Sequence, residues 1–130
     1  SPPSRKEEIL TSLGYCYLER NDYDNAAKYY ESDLQLNPNC LDCCINLAYV
    51  KLQLKKGVLD QMNLLGNTPK EMKEYDKMNA QKDEIVKSAI PYLKKALTIE
   101  PKNEEATKTL LGVYRSLDMT NEYNALKSSM

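Results

Sequence analysis

The residues of this chain best equipped for chemistry are its 4 cysteines: Cys40, Cys43 and Cys44 crowd into one short run, and Cys16 stands apart upstream. A C-x-x-C-C run can offer thiolates to a zinc ion or take part in thiol–disulfide chemistry. A structural zinc site wants four Cys or His ligands. This spacing is not that of a familiar zinc knuckle, no cysteine follows Cys44, and there is no histidine to complete a site. The favoured expectation is that the thiols are small apolar residues packed between helices, since free cysteine is among the most buried residue types. A disulfide such as Cys16 to Cys44 is the alternative, and no metal site is expected.

The missing histidine narrows catalysis in general. It removes the commonest general base, and with it serine- and cysteine-nucleophile sites built on a His partner and most zinc hydrolases. The 19 Asp and Glu residues are abundant but scattered along helix faces without a paired setting. No catalytic residue and no cofactor are therefore expected, and the chain reads as a non-enzyme. With 18 basic residues the net charge is −1, spread evenly over both halves. That provides no pull toward nucleic acid or an anionic membrane. No apolar run approaches the roughly 20 residues that cross a bilayer, so membrane insertion is not expected. The chain opens on Ser1, Pro2 and Pro3 with no initiator Met, which suggests a processed mature form or a piece of something longer.

These residues must be positioned by helices. The chain is 130 residues long with 10 Tyr, no Phe, no Trp and only 4 Gly. That length suits one domain or a short stack of repeats, and the composition favours helix over sheet. A repeat emerges at residues 7–40, EEILTSLGYCYLERNDYDNAAKYYESDLQLNPNC. Leu10, Leu13, Gly14, Tyr17 and Leu18 recur at helical spacing, and Asn21 and Asp22 then break the helix. Tyr23, Ala26, Ala27, Tyr30 and Leu34 form a second stripe, which Asn37-Pro38 ends because a residue before proline leaves the α region. Gly14 and Ala26 are small where the two helices would cross.

In these residues the chain resembles the tetratricopeptide repeat family. Leu10, Leu13, Gly14, Tyr17, Ala26, Tyr30 and Pro38 fall where the family's helix-turn-helix pattern has a large apolar residue, Leu, a small residue, Tyr, Ala, an aromatic and Pro. Asp33 departs from it, standing where a small residue is usual, and is expected to loosen the crossing slightly. A second repeat spans residues 41–103. Cys44, Leu47 and Ala48 match its first helix, and Ala89, Leu93, Ala96 and Pro101 match its close. Leu13 and Pro38 are 25 residues apart whereas Leu47 and Pro101 are 54 apart, an excess of 29.

The excess reads as an elongated helical hairpin at about residues 55–86. Leu47, Val50, Leu54, Val58, Met62 and Leu65 extend the first arm, and Gly57 is a candidate earlier stop. Gly66-Asn67-Thr68 makes the turn. Thr68, Pro69 and Glu71 have the form of N-cap, first helical residue and capping-box partner. Tyr75, Met78, Ile85, Ala89, Tyr92 and Ala96 mark the second arm, which Pro91 is expected to kink. Arms of 25 to 30 residues would reach about 40 Å. Bacterial members of the family with a long central hairpin are similar. A third repeat with a terminal helix fills residues 104–130: Ala106, Leu110, Leu111 and Tyr114 open it, and Thr120 is the expected cap of the last helix. The expected fold over 1–130 is all-α, a single right-handed superhelix of antiparallel helix pairs, an α-solenoid of about three repeats.

The resemblance implies a non-catalytic protein–protein interaction module whose first helices line a concave groove for a peptide or a helix. The groove residues it points to are Thr11, Tyr15, Leu18 and Glu19 from repeat one, Asn46, Tyr49 and Gln53 from repeat two, and Lys108 and Arg115 from repeat three. Some family members grip a chaperone's C-terminal carboxylate with Lys, Asn and Arg side chains. Here those positions hold Thr11, Tyr15, Asn46, Glu105 and Thr109, so a clamp of that type is disfavoured. The alternative reading is a structural or oligomerisation piece, with Met62, Leu64, Leu65, Met72 or Met78 near the hairpin tip binding another protein or a second copy. The matching stripes of the two arms favour their satisfying each other. Resemblance to exported bacterial members and the missing Met lean toward an exported form, while four cysteines without evident pairing lean away.

Overall fold

The computed structural model describes residues 5–130, and Ser1, Pro2 and Pro3 lie outside the described residues. Among the described residues seven α-helices follow one another: α1 Arg5–Glu19, α2 Tyr23–Leu36, α3 Leu41–Met62, α4 Pro69–Lys87, α5 Ile90–Ile99, α6 Glu104–Ser116 and α7 Thr120–Ser128. There is no strand among the described residues. Packing is sequential: α1 on α2, α2 on α3, α3 on both α4 and α5, α5 on α6, and α6 on α7. This is an all-α helical-repeat fold.

The turns are set by side chains suited to them. Asn21 (φ 60°) and Asp118 (φ 56°) take the left-handed conformation, which Asn and Asp tolerate better than other non-glycine residues. Each sits at the same point of a turn: the Asp22 N–H returns to the Tyr17 carbonyl at 2.9 Å, and the Met119 N–H to the Tyr114 carbonyl at 2.8 Å. Asp22 then caps α2, and Asn103 caps α6 by accepting the Ala106 N–H at 2.8 Å. The last helix departs from expectation, because Met119 occupies the N-cap position and Thr120 is already helical.

The first hairpin closes tightly. Gly14 lies against the Tyr30 ring, the Tyr17 and Tyr29 rings stack at 5.4 Å, and Ala26, Ala27, Tyr30, Leu47 and Val50 form the cluster between α2 and α3. The second cluster joins Cys44 and Ala48 of α3 to Leu93 and Ala96 of α5 and to Ala106, Leu110 and Tyr114 of α6. Leu47, Leu93 and Leu110 are almost wholly buried, each worth about 1.5–3 kcal/mol relative to exposure.

The middle hairpin differs from the sequence expectation in three ways. Gly57 does not stop α3, which runs 22 residues to Met62, or about 33 Å at 1.5 Å per residue. The arms are thus shorter than the expected 40 Å. Pro91 does not kink a continuous arm: the chain breaks at Ser88 and Ala89 and restarts, with Pro91 in the first turn of α5, where proline costs no helical bond. At the tip Met62 is buried at 5% exposure and Met78 is half-buried, so the arms cover part of their stripes. Leu64 (84%) and Met72 (57%) are left exposed. The capping box forms: the Thr68 hydroxyl accepts the Glu71 N–H and donates to the Glu71 carboxylate, which also accepts the Gly66 N–H at 2.6 Å.

Candidate functional site

α1 carries Tyr15, Leu18 and Glu19 on one stripe, spaced three and four residues apart, and α3 carries Ile45 and Tyr49 one turn apart with Asn46 beside them. Between these helices and the first turn of α6 opens a hollow of about 430 Å³, lined by Leu18, Glu19, Asn21, Ile45, Asn46, Tyr49 and Glu105. Tyr15, one turn before Leu18 and Glu19, is 56% exposed, and Tyr49 is 48% exposed. Neither ring belongs to a core cluster. The Glu19 carboxylate accepts a hydrogen bond from the Tyr15 hydroxyl, and that bond and charge hold the phenol above its ordinary value. Two carboxylates and no basic side chain line the hollow, so its potential is negative.

The other residues expected in the groove lie elsewhere. The Thr11 hydroxyl donates to the carboxylate of Asp33, a residue 2% exposed, and lines a separate hollow where α1, α2 and α3 meet. Gln53 is half-buried further along α3 and lines neither hollow. Lys108 faces α7, in a hollow of about 330 Å³ with Pro101, Leu126 and Met130. Arg115 donates to the Tyr123 hydroxyl at 2.8 Å and lies over that ring. So Leu18, Asn46 and Tyr49 come together, and Thr11, Gln53, Lys108 and Arg115 do not join them. Ile45 and Glu105 complete the hollow. The four-residue step from Ile45 to Tyr49 is a signal for the first; nothing local marks the second, which depends on how α6 is brought round.

The cysteines are arranged in a way spacing alone did not suggest. Cys40 and Cys43 form a disulfide, Cys44 is a buried free thiol and Cys16 an exposed one. Of the expected packed free thiols only Cys44 is one, pointing into the cluster with α5 and α6; Cys16 lies at the surface, so the alternative Cys16–Cys44 pairing is not formed either. Burial pushes the Cys44 thiol up. Cys40 is also the N-cap of α3, its sulfur accepting the Cys43 N–H at 3.2 Å. Asp33, Cys40 and Cys43 bring three residues of metal-ligating type together, but with the sulfurs bonded to each other they are not free ligands. Among the described residues no helix is long and apolar enough to cross a membrane.

The family model for the tetratricopeptide repeat matches residues 7–40, the span picked out by the periodicity. No curated protein matches the sequence. Among solved structures, the first tetratricopeptide domain of Spaghetti (RPAP3) bound to the HSP90 peptide SRMEEVD is similar. It is 24% identical, with 88% of this chain and 95% of that chain covered and a TM-score of 0.39.

Proposed function

Since the chain carries a tetratricopeptide repeat at residues 7–40 in an all-α helical-repeat fold, we propose that it is a non-catalytic protein–protein interaction module. The peptide or helix it takes lies in the hollow between α1, α3 and α6. The observation that carries this reading is the convergence of Leu18, Asn46, Tyr49 and Glu105 from three successive hairpins on one concave surface. Tyr15 and Tyr49 support it. An exposed tyrosine gives a large rigid contact area, a hydroxyl handle and few torsions to freeze. Asn46 adds an amide able to pair with a peptide backbone. Glu19 and Glu105 favour a ligand that brings Lys, Arg or amide groups, since the cost of burying their charge falls when they are paired.

The test is selection from a displayed library of short linear peptides, followed by calorimetry on single variants. Binders enriched in basic residues are expected, with Tyr49→Ala and Asn46→Ala each weakening binding about tenfold or more. Tyr75→Ala, on the outer arm, should leave affinity unchanged. Binders that hold Tyr49→Ala as tightly as the parent would falsify the groove assignment.

A second reading is an oligomerisation piece, supported by exposed Leu64, Met72 and Tyr75 around the hairpin tip. In this reading the occupant is a second copy meeting tip to tip. Sedimentation over a range of concentrations decides it: a monomer throughout rejects self-association.

A further inference from the structure

We propose that the Cys40–Cys43 disulfide is a thiol–disulfide exchange site that reacts with small neutral or cationic thiols. Three independent features meet there. The first is unequal access: Cys40 is half-buried and lines a hollow of about 750 Å³, whereas Cys43 is 1% exposed behind it. An incoming thiolate therefore meets the Cys40 sulfur. The second is the start of α3. The Cys40 sulfur already accepts the Cys43 N–H, and the unpaired N–H groups and dipole of a 22-residue helix stabilise a thiolate at that point. The third is Asp33, a buried carboxyl on α2 whose Oδ2 lies 3.3 Å from Cys43 Sγ and is fixed there by the Thr11 hydroxyl. In the reduced pair the Cys43 S–H can donate to that oxygen, which gives a polar group at a helix crossing a role that packing does not.

The exchange balances as follows. A thiolate RS⁻ attacks Cys40 Sγ, the Cys40–Cys43 bond breaks, and its electron pair leaves on Cys43 Sγ. That thiolate takes up a proton from water, its S–H then donating to Asp33 Oδ2, and the mixed disulfide R–S–S–Cys40 remains. A second RS⁻ attacks the R sulfur, forming RSSR and releasing Cys40 as a thiolate. Two thiolates are oxidised to one disulfide, and the protein pair gains two electrons and one proton, with Cys40 left as a thiolate. Thiol charge enters because Glu7, Glu8, Asp33 and Asp42 line the hollow together with Cys40, and no lysine or arginine does. An anionic thiol is repelled at low ionic strength and a cationic one is attracted.

The experiment uses the full chain carrying Cys16→Ser, which removes the exposed thiol, and follows reduction by cysteamine and by thioglycolate. Cysteamine is expected to react about tenfold faster or more in dilute buffer, with the ratio collapsing toward one as salt screens the hollow. Adding Cys43→Ser and offering cystamine should trap a mixed disulfide on Cys40, whereas Cys40→Ser should trap little on Cys43. Asp33→Asn, with helix content checked by circular dichroism, should shift the exchange equilibrium toward the disulfide, because the Cys43 S–H of the reduced pair loses a charged acceptor. Equal rates for the two thiols in dilute buffer, or an adduct chiefly on Cys43, overturn the proposal. So does a reduced protein that binds one zinc ion by native mass spectrometry and no longer exchanges. The first two readouts do not need the Asp33 variant to fold.

Discussion

A methyl group on Gly14 would stand 2.9 Å from Cε1 of Tyr30 and 3.0 Å from Cζ, closer than a β-carbon sits to a ring in a relaxed core. The α1–α2 crossing is therefore set by the absence of a side chain at one residue and a fully buried ring at the other. Gly14→Ala gains about 1 kcal/mol of helix propensity. It also overpacks a ring with nowhere to go, at about 1–3 kcal/mol. A net loss of up to about 2 kcal/mol is expected in urea unfolding. Gly57 is the control: its added methyl meets nothing within 4 Å, so Gly57→Ala should stabilise by about 1 kcal/mol. Equal signs for the two variants would show that the crossing is looser than described.

The same ring carries a second test. Tyr30 is buried, and its hydroxyl has no hydrogen-bond partner among the described residues. An unpaired buried hydroxyl costs about 1–3 kcal/mol, whereas the ring beneath it fills the crossing. Tyr30→Phe keeps the ring and removes the orphan oxygen, so it should leave stability unchanged or raise it by about 1 kcal/mol. Tyr30→Ala empties the site and should cost about 3–5 kcal/mol. A clear loss in the Phe variant would mean that the hydroxyl has found a water or a partner.

These contrasts show which features were legible before the structure. Gly14, Ala26, Tyr30 and Pro38 act within one hairpin, where three- and four-residue steps fix which side chains meet, so repeat one could be read from spacing. Gly57 could not: its propensity cost is about 1 kcal/mol, and the burial of Val50 and Met62 on either side carries the helix through it. Asp33 read as a slight misfit because its partners, Thr11 and Cys43, sit on two other helices. Arg115 falls at an expected groove position by count, and α7 brings the Tyr123 hydroxyl within reach of its guanidinium, a pairing that no spacing on α6 announces. Local rules found the helices and their caps. The hollow that Leu18, Tyr49 and Glu105 line depends on contacts between hairpins, which no single period encodes.

The hairpin tip gives a pH-dependent prediction. The Gly66 N–H and the Thr68 hydroxyl, both donating to the Glu71 carboxylate, hold it below its ordinary value near 4.5. A carboxyl depressed in the folded state contributes stability above its unfolded pKa and loses it as pH falls through the folded one. Glu71→Gln should therefore be less stable than the parent near neutrality, and the gap between the two should close as pH falls from the ordinary carboxyl value through the lower folded one. Thr68→Ala removes the cap itself and should cost about 1 kcal/mol across the whole range. A gap between parent and Glu71→Gln that stays constant down to acid pH would rule out the carboxylate as its source.

At the other end of the stack, Arg115 and Tyr123 reverse the behaviour of Tyr15. The Arg115 guanidinium donates to the Tyr123 hydroxyl at 2.8 Å, and with the Lys127 ammonium nearby it favours the phenolate, holding Tyr123 below the ordinary value of 10.0. Tyr15, beside Glu19, is held above it. In an alkaline titration followed by NMR of ring-labelled tyrosine, Tyr123 should ionise ahead of Tyr15, and Arg115→Gln should move Tyr123 back up while leaving Tyr15 in place. The linkage has a definite sign. Because Tyr123 is depressed in the folded state, its contribution is complete above pH 10 and lost as pH falls through the folded value. The linkage part of the stability gap between parent and Arg115→Gln should therefore be absent at neutrality and open as the solution becomes alkaline. Tyr123 titrating together with Tyr15 would mean that Arg115 is free of α7 and available to a ligand after all.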